Sequence, residues 1–546
     1  MRELLLKSLL VFTAFTGLIT PQTTAQTSWE FKDAASGTDT WDDLIRLTLT
    51  TQKSNSVVYT TTIGNNPKLT TTNAGIDAGA ADGSEVETPN ARRIMAITMR
   101  IGAGGPDYFR VLHPKSGGGD FYLNYSTQLS IGDGKFHTYY IDLASGDAMK
   151  PEWNGTKDNF TILFKAWNGT GGGANFNNAG ATIEIDRIEF VNNVFKGTAS
   201  SNGVPTGKTG NNGNWRFQGP SIDGSQDILF PPGTPSSPEI NVILNVNSIS
   251  LGAGVTLVHH AGANSDVTVV NDIVFGIGSS FIPNPTSAVN IGSVVRKVEV
   301  KDDNWHLISS PVDAEEYDDA WVTANGIASG TGNNKGISTY DNGTLDVTTG
   351  PWRYYQAGAT ATTFGDGVGY ALKATDAAGD IYEFTGTYQA GTISPTITQG
   401  VATHYNLVGN PYNAYIDVAA FITENTAKLP ASAQTIYVWD AANATYTGLT
   451  SGYLQPGQGF FVDSDVASST VDFTAAMQGH EDGATFYKSS ETSIKLSVSN
   501  GKSKRIAAIN YNEGKTNGLD PRFDIGLFTG VASDLSVYTH LLENNE

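Results

Sequence analysis

The segment Phe160-Thr161-Ile162-Leu163-Phe164-Lys165-Ala166-Trp167 alternates like a β-strand, with Phe160, Ile162 and Phe164 on one face and Thr161, Lys165 and Trp167 on the other. The same alternation groups Tyr122 with Asn124, and Arg110 with Tyr108. An aromatic plate beside amide, guanidinium and ammonium donors suits a sugar, whose C–H face stacks on the ring while its hydroxyls take the hydrogen bonds. Arg110, Tyr122, Asn124, Lys165 and Trp167 are therefore the candidate carbohydrate-binding residues. The competing account is structural: aromatics in a β-sandwich belong to its core or rim.

Catalytic signatures are weak by comparison. No Gly-x-Ser-x-Gly elbow, phosphate loop or His-Glu-x-x-His motif occurs in the sequence. His259-His260 is an adjacent pair, but neighbouring strand residues point to opposite faces and cannot share a ligand without a bulge. A glycosidase needs two carboxylates at a set separation, which spacing across β loops does not show. The absence of cysteine excludes disulfides, thiolate metal sites and cysteine nucleophiles.

The elements that must hold these residues are strands. Gly 61, Tyr 22 and Phe 24, with many Thr, Asn and Val, make a turn-rich all-β composition. At 546 residues the chain is long enough for several domains. The formal charge of −21 works against nucleic acid and anionic lipid as partners. It also disfavours a strongly acidic polysaccharide, unless a local basic patch or bound cations intervene.

Residues 1–25 carry Arg2 and Lys7 around an apolar run from Leu4 to Ile19, then Thr23-Thr24-Ala25, the pattern of an export signal cleaved near Ala25. That run is too short and interrupted for a membrane span, and no other is expected. Residues 26–195 read as eight to ten short strands, a β-sandwich of jelly-roll type. Residues 196–239 are Gly-, Asn-, Ser- and Pro-rich and read as a linker. Residues 240–300 hold very short strands between turns, a few rungs of a β-solenoid spacer.

Residues 301–475 contain a duplication. Trp305-His306-Leu307-Ile308-Ser309-Ser310-Pro311 is echoed by Tyr405-Asn406-Leu407-Val408-Gly409-Asn410-Pro411, and Gly367-Val368-Gly369-Tyr370 by Gly457-Gln458-Gly459-Phe460. Asn410 and Asp440 read as turn formers at strand ends, and Gly457 and Gly459 as sites of tight backbone geometry. Residues 476–546 read as a further β-domain, incomplete at its end.

On Trp29-Glu30-Phe31, Trp41, Tyr139 to Leu143 and Ile183 to Phe190, the first domain resembles the jelly-roll modules that bind carbohydrate in bacterial secreted proteins. That resemblance implies a structural calcium ion between the first and last strands, and Glu30, Asp33, Asp39 and Asp186 lie where such a site would be, beside the plainer account of surface acids and strand-end caps. The duplicated motifs, with Ile436 to Asp440 and Tyr453 to Val462, are similar to a module of proteins exported by the type IX secretion system of the Bacteroidota. Members of that group finish with a sorting domain, and none is visible before Glu546, so either the sequence is a fragment or it leaves the cell another way.

These features favour a secreted or cell-surface protein that binds a polysaccharide or surface glycan without acting on it. A polysaccharide lyase or glycosidase, and a purely structural surface scaffold, stand as the alternatives. Oligomeric state is not legible.

Overall fold

In the computed structural model, the described residues are 28–30, 41–71, 76–77, 92–143, 153–194, 226–300, 302–480, 493–510 and 531–540, with short interruptions inside several spans. The fold is nearly all β, as the composition implies.

The first domain is a sandwich. Its strands are β1 (Ser28–Glu30), β2 (Asp43–Ile45), β3 (Leu47–Gln52), β4 (Val57–Thr61), β5 (Lys68–Thr70), β6 (Ile76–Asp77), β7 (Ile94–Ile101), β8 (Tyr108–Pro114), β9 (Asp120–Asn124), β10 (His137–Asp142), β11 (Thr156–Lys157), β12 (Thr161–Lys165) and β13 (Thr182–Val191). One sheet runs β10-β7-β13-β4-β3 with β1 on β13; the facing sheet runs β2-β5-β12-β8-β9. Period-two alternation sends Ile97, Met99, Ile183 and Ile185 from one sheet, and Phe109, Val111, Ile162 and Phe164 from the other, into a common core with Trp41 and Trp153.

The outer face of the six-stranded sheet is itself covered. Ile94, Ala96 and Val191 pack with Val194 and Leu229 in a second apolar cluster. Polar groups tie the same seam: Lys297 Nζ donates to Asp186 at 2.8 Å, Ser250 Oγ to Glu189 at 2.6 Å, and Arg92 Nε to Asp227 at 2.6 Å. The sheet thus docks against the solenoid.

The solenoid starts earlier than expected. Asp227–Phe230, inside the expected linker 196–239, and Glu239–Ile240, at its boundary, pair in parallel with Ser248–Leu251 and Thr256–His259. Further parallel strands, Val267–Phe275 and Val289–Val300, continue the stack. Ile228, Phe230, Ile249, Leu251, Ile273 and Phe275 line its interior, which is why the short segment Asp227-Ile228-Leu229-Phe230 within Pro-rich sequence forms a rung.

The duplication is visible as two four-stranded sheets of matching order, in which Trp305–Ser309 pairs with Gly369–Lys373 and Tyr405–Gly409 with Gly459–Asp463. Each copy also contains a short helix that a strand-only account omits: α1 (Asp319–Ala324) and α2 (Val418–Glu424). Asp318 and Asp417 cap their first turns, accepting from Trp321 N and Ala420 N. Asn325 and Asn425 close the other ends, their side chains donating to the Trp321 and Phe421 carbonyls. Of the last expected domain, 476–546, the hairpin Ser493–Ser499 and Lys504–Asn510 is described, while residues 511–530 lie outside the described residues.

Candidate functional site

The outer face of the five-stranded sheet is built by register, buried over β12 and exposed at its β9 edge. β12 sets Lys165 across from Tyr108 and Leu163 across from Arg110. β9 sets Asn124 across from Arg110 and Tyr122 across from Leu112. β5 sets Lys68 across from Leu163 and Thr70 across from Thr161. Phe109, Val111, Ile162 and Phe164 point to the core, so their neighbours in sequence point outward. One outer row therefore reads Lys68, Leu163, Arg110, Asn124, and the next Thr70, Thr161, Leu112, Tyr122.

Within this face Arg110 Nε donates to Asn124 Oδ1 at 2.6 Å, and its guanidinium carbon stands 5.7 Å from the Tyr122 ring centroid. Tyr122 is 56% exposed, an aromatic plate held at one edge with donors beside it. The Thr70 and Thr161 hydroxyls are hydrogen-bonded at 2.9 Å.

The other end of the face is more enclosed. Ala166 and Ala174 exchange backbone hydrogen bonds at 3.1 and 2.7 Å. Gly173 has φ +65°, and a Cβ there would fall 2.5 Å from Tyr108 Cδ1 and 3.0 Å from Lys165 Cε. Tyr108 is consequently fully buried, its ring 5.3 Å from that of Trp167. It supports Trp167 from below. Trp167 N donates to Asp107 Oδ1 at 2.7 Å, while Asp107 Oδ2 accepts from Gln128 at 2.6 Å, so that carboxylate is already engaged.

Lys165 is 7% exposed, and among the described residues no carboxylate is within ion-pair distance of its ammonium. Burial lowers its pKa from the ordinary lysine value, and the Arg110 charge lowers it further. Burial raises the Tyr108 phenol, with Arg110 pulling the other way.

All five expected sugar-binding residues thus belong to one sheet face and its rim. They do not form one compact platform. Tyr122 is level with Thr161, and Trp167 is six residues further along, roughly 20 Å at about 3.3 Å per residue. Lys68 and Gly173 were not singled out from sequence, because only strand pairing reveals that β5 and the 166–174 return flank Lys165.

Of the four expected calcium ligands, the structure describes the side chain of Asp186 alone. Asp33 and Asp39 lie outside the described residues. Glu30 is in β1, paired with Arg187 of β13. Asp186 already receives Lys297, whose ammonium supplies the positive charge the expectation had given to an ion. Burial raises the Asp186 carboxyl, opposed by Lys297. Among the described residues no group of three or more His, Asp or Glu is placed to hold a metal ion.

The other motifs resolve structurally. His259 is buried while His260 turns outward toward Glu239 at 3.6 Å, on opposite faces as alternation requires. Asn410 donates to the Ala414, Leu454 and Gln455 carbonyls and accepts from Tyr412 N, a turn-stabilising role.

A family model described as a domain of unknown function, DUF8693, matches residues 201–451. No curated protein matches the chain. Among solved structures, a carbohydrate-binding module of Clostridium stercorarium in complex with cellobiose is similar at 12% identity and TM-score 0.17, over 30% of this chain and 92% of that one. A xylan-binding domain from Paenibacillus barcinonensis is similar at 12% identity and TM-score 0.18, over 30% and 95%. A tandem of two such domains from the same organism is similar at 14% identity and TM-score 0.19, over 67% and 91%.

Proposed function

We propose that this protein binds a polysaccharide or cell-surface glycan along the outer face of the five-stranded sheet, and does so without reacting with it. The observation that carries this is the face itself. Its sheet gives one side to the core and presents Tyr122, Arg110, Asn124 and Lys165 on the other, with Trp167 at the rim. Aromatic groups separated by roughly 20 Å along the strands suit an extended chain of sugars better than a single residue.

Export belongs to the same proposal, supported by the leader-like residues 1–25 and by the resemblance of the repeat motifs to modules of type IX-exported Bacteroidota proteins. A structural calcium ion near the first strands is also part of it, held by ligands other than Asp186.

The test is a glycan array probed with the full chain, with and without calcium, and repeated with Tyr122→Ala and Trp167→Ala. One glycan class should bind, and Tyr122→Ala should weaken it about tenfold, the size of one lost aromatic stack. Failure of every glycan to bind in both conditions would overturn the proposal.

A further inference from the structure

We propose that Lys297 and Asp186 condense into an intramolecular amide, a covalent link that fastens the sandwich to the solenoid, with Glu383 carrying the proton. This goes beyond the glycan-binding reading and does not depend on it.

Asp186 owes its position to a break in its strand. The pairing of β13 with β7 shifts register between Ile185 and Arg187, so Asp186 is the extra residue of a β-bulge. A bulge re-aims a side chain, and this one turns the carboxyl into the seam, where it accepts from Lys297 Nζ at 2.8 Å. Lys297 arrives on the strand Val289–Val300, and the strand Asp380–Gly386 sets Glu383 directly opposite it. Cross-strand partners share a face, so the Lys297 and Glu383 side chains leave the sheet on the same side. All three groups are shielded from water: the Lys297 and Asp186 side chains are 4% and 13% exposed, and Glu383 is 8% exposed. Asn325 Oδ1 accepts from Glu383 N at 2.7 Å, which pins the backbone at that residue. The neighbouring carboxylate of Glu184 is engaged elsewhere, with Arg100 and Ser56 donating to it at 2.6 and 2.7 Å.

An amine held against a carboxyl group in a dry site is set up for acylation. Shielding two charges from water is costly, and passing the proton from Lys297 to Asp186 leaves a neutral amine and a neutral carboxyl. Burial pushes the Asp186 carboxyl up; Lys297 opposes this and Glu383 adds to it. Nζ already lies against the carboxyl, so attack on Cγ needs reorientation rather than approach. Well-oriented intramolecular reactions of this kind reach effective molarities of about 10⁵ M and more. The Nζ–Cγ bond forms, the Glu383 carboxylate takes the proton that Nζ sheds, and it returns that proton to the departing hydroxyl, which leaves as water. One ammonium and one carboxylate give one amide and one water; Glu383 ends unchanged, and no co-reactant is needed. A chain without cysteine has no disulfide to fasten two domains, and the amide serves in its place.

Mass spectrometry of the purified full chain reads the step directly. Wild type should weigh one water less than its sequence, allowing for any processing at the N-terminus. Trypsin should release a branched peptide that joins residues 166–187 to residues 297–301. Lys297→Arg and Asp186→Ala should each restore the full mass and abolish the branched peptide. Glu383→Gln keeps the shape of the side chain and removes the base, so it should fold and condense at least about a hundredfold more slowly. Wild type at its full mass, with the two peptides recovered separately, would overturn the proposal. So would a water loss that maps to any other residues. A link formed as fast in Glu383→Gln as in wild type would overturn the role given to Glu383.

Discussion

Ser309 and Gly409 hold equivalent places in the two copies of the repeat and touch each other, so that a Cβ on Gly409 would fall 2.5 Å from the Ser309 Cβ. Around this contact the copies trade backbone reciprocally. Ser309 N donates to Gly457 O at 2.8 Å, and Gly409 N to Gly367 O at 2.9 Å. Ile308 bridges Gln458, and Val408 bridges Val368. Each Gly-x-Gly ribbon therefore crosses the strand of the other copy, an approximately two-fold arrangement within one chain. A Cβ on Gly459 would meet Ile308 N at 2.9 Å, and one on Gly369 would meet Val408 O at 2.7 Å. The glycines are there because backbones approach too closely for any side chain.

Gly409→Ala should accordingly destabilise the protein by roughly 2 kcal/mol through overpacking. Ser309→Gly in the same chain should restore part of that loss by opening the space the new methyl needs. Chemical denaturation of the four members of this cycle checks the coupling. Additive effects would show that the two sites do not meet in solution.

The repeat was legible in the sequence because its signature is carried by side chains over consecutive residues. α1 and α2 were not, since Asp319-Ala320-Trp321-Val322-Thr323-Ala324 is short and mixes in strand formers, and its state is decided by the Asp318 and Asn325 caps. At the sheet face, alternation was enough to sort Phe160, Ile162 and Phe164 from Thr161, Lys165 and Trp167. It could not say which strands lie side by side, so Lys68 went unnoticed and Tyr108 was expected at the surface rather than beneath Trp167. The rung Asp227–Phe230 was hidden for a related reason: four residues carry no period of their own, and only stacking on Ser248–Leu251 makes them a strand.

Lys165→Met should raise stability, by roughly 1 kcal/mol, because a largely buried lysine with no ion-pair partner among the described residues is replaced by an apolar chain of similar length. Thermal unfolding near neutral pH reads this directly. A lower midpoint would mean that Lys165 has a stabilising partner in the folded protein.

Lys297 and Asp186 join the sandwich to the solenoid, with side chains only 4% and 13% exposed. Lys297→Ala should cost about 3 kcal/mol, since it strands a buried carboxylate. Asp186→Leu combined with Lys297→Met should be far milder, because the charge and its desolvation leave together. A double variant as unstable as the single one would refute this account of the seam.

Lys428 Nζ donates to Asp472 Oδ2 at 2.6 Å, with Ser394 Oγ on the other carboxylate oxygen at 2.7 Å. The Lys428 hydrogen bond is the main cause holding the Asp472 carboxyl below the usual range; burial opposes it and Ser394 adds to it. A carboxyl depressed in the folded state contributes stability that is present above its unfolded pKa, about 3.9, and is lost as pH falls through the folded value. Lys428→Met should therefore destabilise the protein by about 0.5 kcal/mol at pH 7, the modest size expected for a pair about a quarter exposed. The gap between wild type and variant should close as the pH is lowered below about 4. Denaturation midpoints measured from pH 7 to pH 2.5 test both parts. A difference that stayed constant across that range would show that Lys428 acts through packing of its stem and not through Asp472.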